Sequence, residues 1–489
     1  MPKQHRRDFF KTVAGSAAVI SAGRAAALAQ TTPPASNHPP RNIIFILADD
    51  LGPQELGCYG NAHAHTPNID ALAAAGMRFR TCWTVPVCVP SRVLAMTGKY
   101  GFHTGFYNMG DRGGGPRNVT PPLRVSEEIS FANLAKKQGC ATALAGKWQL
   151  DGPTRNTIPA CGFDDYLIWR IGFEEGYGGR QEIRPGVFQE DGPGSRYFHP
   201  SLERNGKRIK TTPTDYGPDM FCDFLIEFMK KNQHNPFLAY YPMVLPHTPI
   251  GPTPDHPDLE IALNEETLRH NVAYLDKMVG RIVDALDEMG VRENTVIIFS
   301  GDNGTEEDGK NTPTELGARV PLVVNCPGFV QAGVVSDALV DFSDLLPTFA
   351  ELAGVPPIDY CAADGHSIIP ILEGRTEGIR DWIFSYMGQF RMVRTRNWML
   401  ENNSVDYGGD FYYCGDECDP KQYTNVTDSQ ELAAIEARQA IDRIMAMLPV
   451  PGMPAEDRAH FIRYLEHYNA PDLDMSRAYP PGHGPETTQ

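Results

Sequence analysis

The chain has 489 residues, of which 41% are hydrophobic and 21% are charged, and its 61 acidic residues outnumber its 44 basic residues to give a net charge of −17. An apolar fraction of this size excludes a mostly disordered chain and provides material for a large core. The acidic balance argues against a nucleic-acid-binding protein and against a basic membrane-binding patch, while a local basic pocket for an anionic substrate stays compatible with it.

The N-terminal segment has the pattern of an export signal. Arg6 and Arg7 precede an apolar run of small residues that ends in an Ala-Leu-Ala sequence, which is typical of a twin-arginine signal peptide over residues 1–29. The run is short and Arg24 interrupts it, so we expect no stable membrane anchor. A Pro-rich linker over residues 30–40 follows the signal peptide. We expect the Tat translocase to export the protein to the periplasm or the cell exterior.

Four predicted strands end on polar or charged residues. Each is a short run of mostly β-branched, aromatic or small apolar residues, typical of strands buried in a parallel sheet. Predicted helices accompany them, with Ser126 as the expected N-cap of one and Gly290 at the end of another. This alternation indicates an α/β fold with a mostly parallel sheet flanked by helices on both faces. The predicted strands cover residues 41–48, 141–145, 237–245 and 295–300, and the predicted helices cover residues 68–75, 126–138 and 265–289.

The carboxyl ends of these strands carry the candidate site residues. Ligands of such sheets bind beyond that edge, so the residues that follow the strands should meet there. They are Asp49, Asp50, Lys147, His247, Asp302 and Asn303. The carboxylate and amide oxygens among them suit Ca²⁺ or Mg²⁺ better than zinc. One such acid alone is more often a turn or cap residue, but here two separate buried strands end in a pair of them.

Cys88 lies at the predicted start of a further helix. Pro90 is typical of a first helical turn and Gly98 of a helix end. Cys88 would therefore face free backbone N–H groups that favour an anion. Taken alone, the pattern fits a buried structural cysteine about equally well.

The segment around Cys88 resembles a known signature. The sequence Cys88-Val89-Pro90-Ser91-Arg92, followed by Thr97-Gly98, is similar to the motif of the type I sulfatases, the formylglycine-dependent members of the alkaline phosphatase superfamily. Further motifs of this family follow in the family's order over residues 41–375. They include Asp49-Asp50-Leu51-Gly52, Gly146-Lys147-Trp148, Pro246-His247-Thr248-Pro249, Gly301-Asp302-Asn303-Gly304, Gly309-Lys310 and Asp364-Gly365-His366-Ser367.

The resemblance implies a fold and an activity. The fold would be an alkaline phosphatase-like catalytic domain over residues 41–375, with a smaller C-terminal α+β domain and tail over residues 376–489. A formylglycine-generating enzyme would convert Cys88 to formylglycine, and the protein would be a sulfuric ester hydrolase of the arylsulfatase type. Its substrate would be a sulfated small molecule or a sulfated glycan.

The resemblance further implies roles for individual residues. A hydrated aldehyde at Cys88 would attack the sulfur through one hydroxyl, and loss of the proton from the second hydroxyl would then expel sulfate. Cations near the leaving oxygen stabilise the charge that develops on it. Lys147 and Lys310 would bind the sulfate oxygens, and His247 would protonate the leaving group. Arg92 would hold the modified residue and the metal ligands. Those metal ligands would be Asp49, Asp50, Asp302, Asn303 and the modified Cys88.

One position departs from the family pattern. The family usually has a histidine two residues after the lysine of its Gly-Lys-Trp motif, and this chain has Gln149. A glutamine keeps a hydrogen bond but cannot take a proton. We expect Gln149 to orient the hydrated aldehyde while a neighbouring acid such as Asp302 accepts the proton.

Two alternative functions stay open at this point. A phosphodiesterase or phosphonate hydrolase of the same superfamily would use the same metal and hydrated aldehyde. A non-catalytic sulfoglycan-binding protein would instead leave Cys88 unmodified, and Gln149 is its only support in the sequence.

Overall fold

The computed structural model describes residues 40–108, 125–150, 157–170, 181–184, 187–189, 195–404, 407–415, 417 and 419–449. The predicted signal peptide, almost all of the linker and residues 450–489 of the predicted C-terminal domain and tail lie outside these residues. Within them, no helix has the length and apolar character needed to cross a bilayer.

Seventeen strands form three sheets in the described part of the chain. The strands are β1 (Asn42–Ala48), β2 (Met77–Trp83), β3 (Ala141–Lys147), β4 (Asp165–Trp169), β5 (Gln181–Arg184), β6 (Val187–Gln189), β7 (Leu202–Arg204), β8 (Lys207–Ile209), β9 (Phe237–Pro242), β10 (Thr295–Gly301), β11 (Leu322–Asn325), β12 (Val334–Asp341), β13 (Trp382–Met387), β14 (Phe390–Thr395), β15 (Trp398–Asn403), β16 (Asp410–Tyr413) and β17 (Thr424–Asn425). The largest sheet has ten strands in the order β12-β2-β11-β10-β1-β9-β3-β4-β7-β8. Strands β13 to β17 form a five-stranded sheet in sequence order, and β5 pairs with β6.

The centre of the large sheet is parallel, which confirms the predicted α/β fold class. Strands β10, β1, β9, β3 and β4 run parallel to one another in that order, and β12 with β2 forms a further parallel pair. Antiparallel pairing occurs where β11 lies between β2 and β10 and where β7 and β8 follow β4. Ala48 pairs with Gly301 in the register, so β1 and β10 end together and the residues after them meet at one edge.

Helices cover both faces of this sheet. The helices are α1 (Pro67–Ala74), α2 (Cys88–Thr97), α3 (Gly101–Thr104), α4 (Phe131–Lys137), α5 (Thr157–Ala160), α6 (Gly217–Asn232), α7 (Glu265–Glu288), α8 (Glu315–Ala318), α9 (Leu345–Leu352), α10 (Ile369–Leu372) and α11 (Leu432–Met447). In β1, Phe45 and Leu47 belong to one hydrophobic core, together with residues of α2, α4 and α9. Ile44 and Ile46 belong to the other, together with residues of α1, α6 and α7. Because β1 is buried on both faces, its sequence is mostly apolar.

One predicted helix starts later than expected. Helices α1 and α7 begin at or within one residue of the predicted positions, but α4 begins at Phe131, and Ser126 lies in a short 3-10 turn instead of capping the helix. Ser130 is the cap, because its side chain accepts a hydrogen bond from Asn133 N at 3.1 Å and Asn133 Oδ1 accepts one from Ser130 N at 3.1 Å. A capping box is usually recognised by Glu or Gln at the third position, and this one has asparagine.

The predicted strand over residues 237–245 is longer than the observed strand. Strand β9 ends at Pro242, which pairs with Leu47 next to the last residue of β1. One more backbone hydrogen bond follows, from Met243 N to Leu47 O at 2.9 Å. The chain then follows the site edge, where Leu245 O accepts a hydrogen bond from Asp49 N at 2.9 Å.

The five-stranded sheet corresponds to the smaller C-terminal part that the resemblance implies. It is antiparallel throughout. Its residues Phe384, Phe390 and Leu400 share a hydrophobic core with Phe45 of β1. The described residues fall in one compact unit, and the domain boundary at residue 375 stays a prediction.

Candidate active site

The residues predicted from the strand ends meet at the carboxyl edge of the large sheet. They are Asp49 and Asp50 after β1, Lys147 at the end of β3, His247 after β9, and Asp302 and Asn303 after β10. Backbone pairing continues into this edge, since Asp302 N donates a hydrogen bond to Ala48 O at 2.9 Å. The edge therefore brings together carboxylates and cations that are up to about 250 residues apart in the chain.

Cys88 is the first residue of α2, and the helix ends before Gly98 as predicted. One ligand atom of each of Cys88, Asp49, Asp50 and His247 lies within 4.8 Å of the others. The Cys88 side chain is 1% exposed, and this burial raises the pKa of its thiol to about 11. An unmodified Cys88 is therefore protonated at neutral pH and is a poor nucleophile.

Three cations surround the carboxylate of Asp49. Lys147 Nζ donates hydrogen bonds to Oδ1 and Oδ2 at 2.7 and 2.9 Å. Arg92 Nη2 donates to Oδ1 at 3.1 Å, and Arg196 Nη1 lies 3.6 Å from Oδ2. Burial acts to raise the pKa of Asp49, but the three cations outweigh it and hold that pKa below its usual value. Asp49 is therefore ionised and can serve as a ligand for a further cation.

Asp50 and Asn303 lie next to each other and offer oxygen ligands. Asp50 Oδ2 accepts a hydrogen bond from Lys310 Nζ at 2.6 Å, and Asp50 Oδ1 accepts one from Asn303 Nδ2 at 2.9 Å. Burial raises the pKa of Asp50 well above its usual value, because Lys310 offsets only part of that effect. Asn303 Oδ1 is buried and has no hydrogen-bond partner among the described residues. A buried amide oxygen on a residue that contacts the Asp50 carboxylate fits a hard divalent cation such as Ca²⁺ or Mg²⁺.

Asp302 and Arg92 hold the start of α2 against the sheet. Arg92 Nε and Nη2 donate to Asp302 Oδ2 at 2.9 and 2.6 Å. Asp302 Oδ1 accepts a hydrogen bond from Asp50 N at 3.0 Å, so both oxygens of this carboxylate are engaged. The Arg92 side chain also donates to Lys147 O at 3.3 Å. Arg92 therefore fixes the position of the helix that begins at Cys88.

Lys310 contacts three polar side chains. Its Nζ donates to Asp50, donates to Glu306 Oε2 at 2.7 Å and lies 3.3 Å from His247 Nε2. His247 Nδ1 lies 2.6 Å from Thr248 O, so Nδ1 carries the proton and Nε2 accepts from Lys310 in this arrangement. Burial, together with Lys310, lowers the pKa of His247 well below its usual value. His247 is therefore a neutral imidazole.

Gln149 follows the last residue of β3 by two positions and has a φ angle of 61°. Few residues other than glycine adopt such a backbone conformation, and histidine is among the types enriched there. The histidine that the family usually has at this position would therefore fit this backbone.

Sequence reasoning missed two charged residues of the site. Arg196 contacts Asp49, and Glu306 contacts Lys310. Glu306 and Lys310 lie in a non-helical segment between β10 and α8, so the helical four-residue pairing pattern does not apply to them. Arg196 lies far from Asp49 in the chain and in a segment with many arginines, so no local pattern marks it.

Comparison with known proteins decides which family this site belongs to. The family model described as Sulfatase matches residues 41–355. The chain belongs to the sulfatase family. Human arylsulfatase A is 31% identical over 372 residues, which cover 71% of this chain and 70% of that protein. N-acetylgalactosamine-6-sulfatase of Sus scrofa is 30% identical over 382 residues, which cover 73% of this chain and 70% of that protein.

A solved structure shares the fold of the chain. Ps i-CgsB in complex with k-i-k-neocarrahexaose superposes with a TM-score of 0.68 at 25% sequence identity, and the match covers 90% of this chain and 99% of that chain. The alkaline phosphatase-like fold that the sequence predicts is confirmed.

This sulfatase hydrolyses sulfate esters, as the sequence predicts. Its relatives are named for that reaction, so sulfate ester hydrolysis, the first of the predicted activities, is confirmed. Sulfatases use a metal ion and a formylglycine as general traits of the family. The acidic cluster around Cys88 fits such a metal ion.

Proposed function

We propose that this sulfatase removes sulfate from sulfated glycans by means of a formylglycine formed from Cys88 and a calcium ion. The convergence of Cys88, Asp49, Asp50 and His247 within 4.8 Å supports this proposal most directly. The buried thiol of unmodified Cys88 has a pKa of about 11, so conversion to formylglycine accounts for this residue better than thiolate catalysis does.

Asp49, Asp50 and Asn303 would hold the calcium ion, with Asp302 and the modified Cys88 as further ligands. Oxygen ligands of this kind favour Ca²⁺, and Mg²⁺ is the second candidate. When bound, the ion would supply positive charge beside the sulfate and the modified residue. The buried Asn303 Oδ1, which accepts no hydrogen bond from the described residues, is the atom that most needs such a partner.

Lys147 and Lys310 would bind the sulfate oxygens. Both are buried and both donate to the candidate metal ligands, Lys147 to Asp49 and Lys310 to Asp50. Once those carboxylates bind a divalent cation, the two ammonium groups can donate hydrogen bonds to the oxygens of an anion instead. Their charge then stabilises the negative charge that develops as the ester bond breaks.

His247 would protonate the oxygen of the leaving alcohol. Its Nε2 lies 3.3 Å from Lys310 Nζ. His247 would take up a proton from solvent at Nε2 and give it to the alcohol oxygen as the ester bond breaks, while Lys310 keeps its positive charge for the sulfate. His247 Nδ1 is held by the carbonyl of Thr248 at 2.6 Å, which fixes the ring so that Nε2 serves the reaction.

Gln149 would orient the hydrated aldehyde. It has no titratable proton, so a neighbouring group must accept the proton when sulfate leaves. Asp302 is the acid we predict for this step. Both of its oxygens already accept hydrogen bonds, so proton transfer to Asp302 would require one of them to open.

Sulfated glycans are the substrate class that the relatives favour. One relative is named for the 6-sulfate of N-acetylgalactosamine, and the structure of Ps i-CgsB holds k-i-k-neocarrahexaose. Both compounds are carbohydrates, whereas the name of arylsulfatase A refers to aryl esters. We therefore infer a sugar sulfate as the substrate and a small aryl sulfate as an accessory one.

We also propose that a formylglycine-generating enzyme modifies the chain before the Tat translocase exports it to the periplasm or the cell exterior. The twin-arginine pattern of residues 1–29 supports this order, because that route carries folded proteins.

Sulfate release tests the proposed function. The protein, produced together with a formylglycine-generating enzyme, would be incubated with sulfated galactan oligosaccharides, 4-nitrophenyl sulfate and bis(4-nitrophenyl) phosphate. We expect the highest kcat/KM on a sulfated oligosaccharide and the lowest on the phosphate diester. The Cys88→Ala variant is the control and should release no sulfate. Higher turnover of the phosphate diester, or equal activity of Cys88→Ala, would overturn the proposal.

Chelation tests the metal. Removal of divalent cations should abolish sulfate release, and calcium should restore it at a lower concentration than magnesium. Restoration by magnesium alone would contradict the choice of calcium.

A further inference from the structure

Arg196 is a buried cation of the active site that lies outside the motifs quoted in the sequence analysis. Its side chain is 1% exposed, and it is among the largest fully buried side chains in the described chain. Its guanidinium carbon lies 4.0 Å from the centre of the Trp169 ring. Trp169 is the last residue of β4 and pairs with Lys147 in the sheet register. Arg196 is therefore held at the same edge as Lys147 by an aromatic ring of the sheet.

The segment that carries Arg196 is fixed on both sides. Gly217 N donates a hydrogen bond to Tyr197 O at 2.8 Å, and a Cβ atom on Gly217 would lie 2.1 Å from Arg196 O. The Tyr197 hydroxyl donates to Val244 O at 3.1 Å and also to His247 O. The position of Arg196 is thus tied to the backbone of His247, so the guanidinium is pre-organised beside the site.

Arg196 and Lys147 contact the same carboxylate oxygen. Lys147 Nζ lies 2.9 Å from Asp49 Oδ2, and Arg196 Nη1 lies 3.6 Å from it. Arg92 also contacts Asp49, so three positive charges surround one negative charge. Two buried cations that share an oxygen repel each other, and an anion bound between them would relieve that repulsion.

The formal charges of the site indicate which anion would bind between Arg196 and Lys147. Four cations, Arg92, Lys147, Arg196 and Lys310, face four carboxylates, Asp49, Asp50, Asp302 and Glu306. With a divalent cation added, these groups would carry a formal charge of about +2, which matches the two negative charges of inorganic sulfate. Without Arg196, the same groups would fall short of that match by one charge.

We propose that Arg196 is an additional sulfate-binding residue of this sulfatase, which acts beside Lys147 when Asp49 binds the metal ion. The proposal rests on the proposed metal site and on sulfate as the product. Its chemistry is that of a guanidinium, which donates hydrogen bonds to anion oxygens. The stack on Trp169 keeps the group in place in the absence of the anion.

Calorimetric titration of inorganic sulfate into the calcium-loaded protein tests this role. The Arg196→Met variant removes the charge and keeps a long apolar side chain against Trp169. We expect its dissociation constant for sulfate to rise by at least about tenfold, the scale of one buried charge-assisted hydrogen bond. Its dissociation constant for calcium should stay the same or fall, because a repelling cation is gone. Arg196→Lys keeps the charge but loses the planar group that stacks on Trp169, so its sulfate affinity should lie between those of the wild type and Arg196→Met.

Arg204 provides the matched control. It lies over the ring of Phe224 at 4.8 Å and pairs with Asp165 at 3.6 Å, with 44% of its side chain exposed. Arg204→Met should bind both ions as the wild type does.

Three results would overturn the inference. Arg196→Met could bind sulfate with wild-type affinity, or it could lose calcium and sulfate affinity together, which would indicate a purely structural role. If Arg196→Met does not fold, the neutral Arg196→Gln variant takes its place under the same criteria. A wild-type protein that binds calcium but not sulfate would contradict the proposed sulfate pocket as a whole, whereas sulfate binding that survives Arg196→Met would contradict only the role of Arg196.

Discussion

Lys147 Nζ donates hydrogen bonds to both carboxylate oxygens of Asp49, at 2.7 and 2.9 Å, with neither side chain more than 1% exposed. Lys147 ends β3 and Asp49 follows β1, and β9 lies between these strands. The pair therefore joins a candidate sulfate-binding cation to a candidate metal ligand across the sheet edge.

Replacement of Lys147 by methionine should reduce both activity and stability. Asp49 would keep Arg92 and Arg196 as partners, so we expect the free energy of unfolding to fall by about 1–3 kcal/mol. The value of kcat/KM should fall by at least about 100-fold, because a buried cation at the sulfate is lost. Denaturant unfolding and steady-state kinetics measure the two effects.

Lys277 is the control for this variant. It pairs with Asp255 at 2.6 Å but is 47% exposed, so Lys277→Met should change stability by less than about 1 kcal/mol. If Lys147→Met were as active as Lys277→Met, Lys147 would not bind the sulfate.

A second prediction concerns His247 and the leaving group. A sugar alcohol needs a proton when it leaves, whereas 4-nitrophenolate leaves without one. In His247→Gln, kcat should therefore fall by about 10²- to 10⁴-fold on a sugar sulfate and by much less on 4-nitrophenyl sulfate. His103 is half exposed and pairs with Asp364, so His103→Gln should leave both rates unchanged. Equal losses on the two substrates in His247→Gln would count against a general acid.

The third prediction concerns Gln149. Its φ angle of 61° suits histidine, so Gln149→His should fold normally and restore a titratable group. We expect kcat to rise or to stay unchanged, and we expect Gln149→Ala to be slower than both because it loses the hydrogen bond. A collapse of kcat in a folded Gln149→His protein would refute the proposed orienting role.

The fourth prediction uses a buried acid away from the site. Glu401 in β15 accepts a hydrogen bond from Glu315 N at 2.8 Å. Burial, with some contribution from the charge of Glu315, raises the pKa of Glu401 from 4.5 to about 8. Between these values the folded state binds more protons than the unfolded state, so Glu401 lowers stability as pH rises from about 4.5 to about 8.

Glu401→Gln should make the free energy of unfolding depend less on pH over this range. The amide imitates the protonated acid, and we expect the variant to exceed the wild type in unfolding free energy by at least about 1 kcal/mol at pH 8. Glu436 is exposed on α11, so Glu436→Gln should leave the slope as it is. Unfolding curves between pH 5 and pH 8.5 measure the difference, and parallel profiles of wild type and Glu401→Gln would contradict the prediction.

The sheet edge could be predicted from the sequence because its strands are buried on both faces. Strand β1 is mostly apolar and ends just before Asp49, and β10 is also mostly apolar and ends just before Asp302. Such runs have a strong local signal. The order of the strands, which places β1 between β10 and β9, depends on contacts far apart in the chain and has no comparable signal.

The contacts made by charged residues were harder to predict. Arg196 reaches Asp49 from a distant segment, and its position depends on Trp169 and on the packing at Gly217. The start of α4 was predicted too early because its capping box has Asn133 where the usual pattern has Glu or Gln. In both cases the deciding interaction is one that no short sequence pattern describes.

Peptide mass spectrometry across Cys88, on protein produced with a formylglycine-generating enzyme, tests the central claim most directly. We predict that the peptide loses the mass that corresponds to conversion of a thiol to an aldehyde and that it forms an adduct with an aldehyde-reactive probe. A fully unmodified Cys88 in folded, calcium-loaded protein that still releases sulfate would contradict the account.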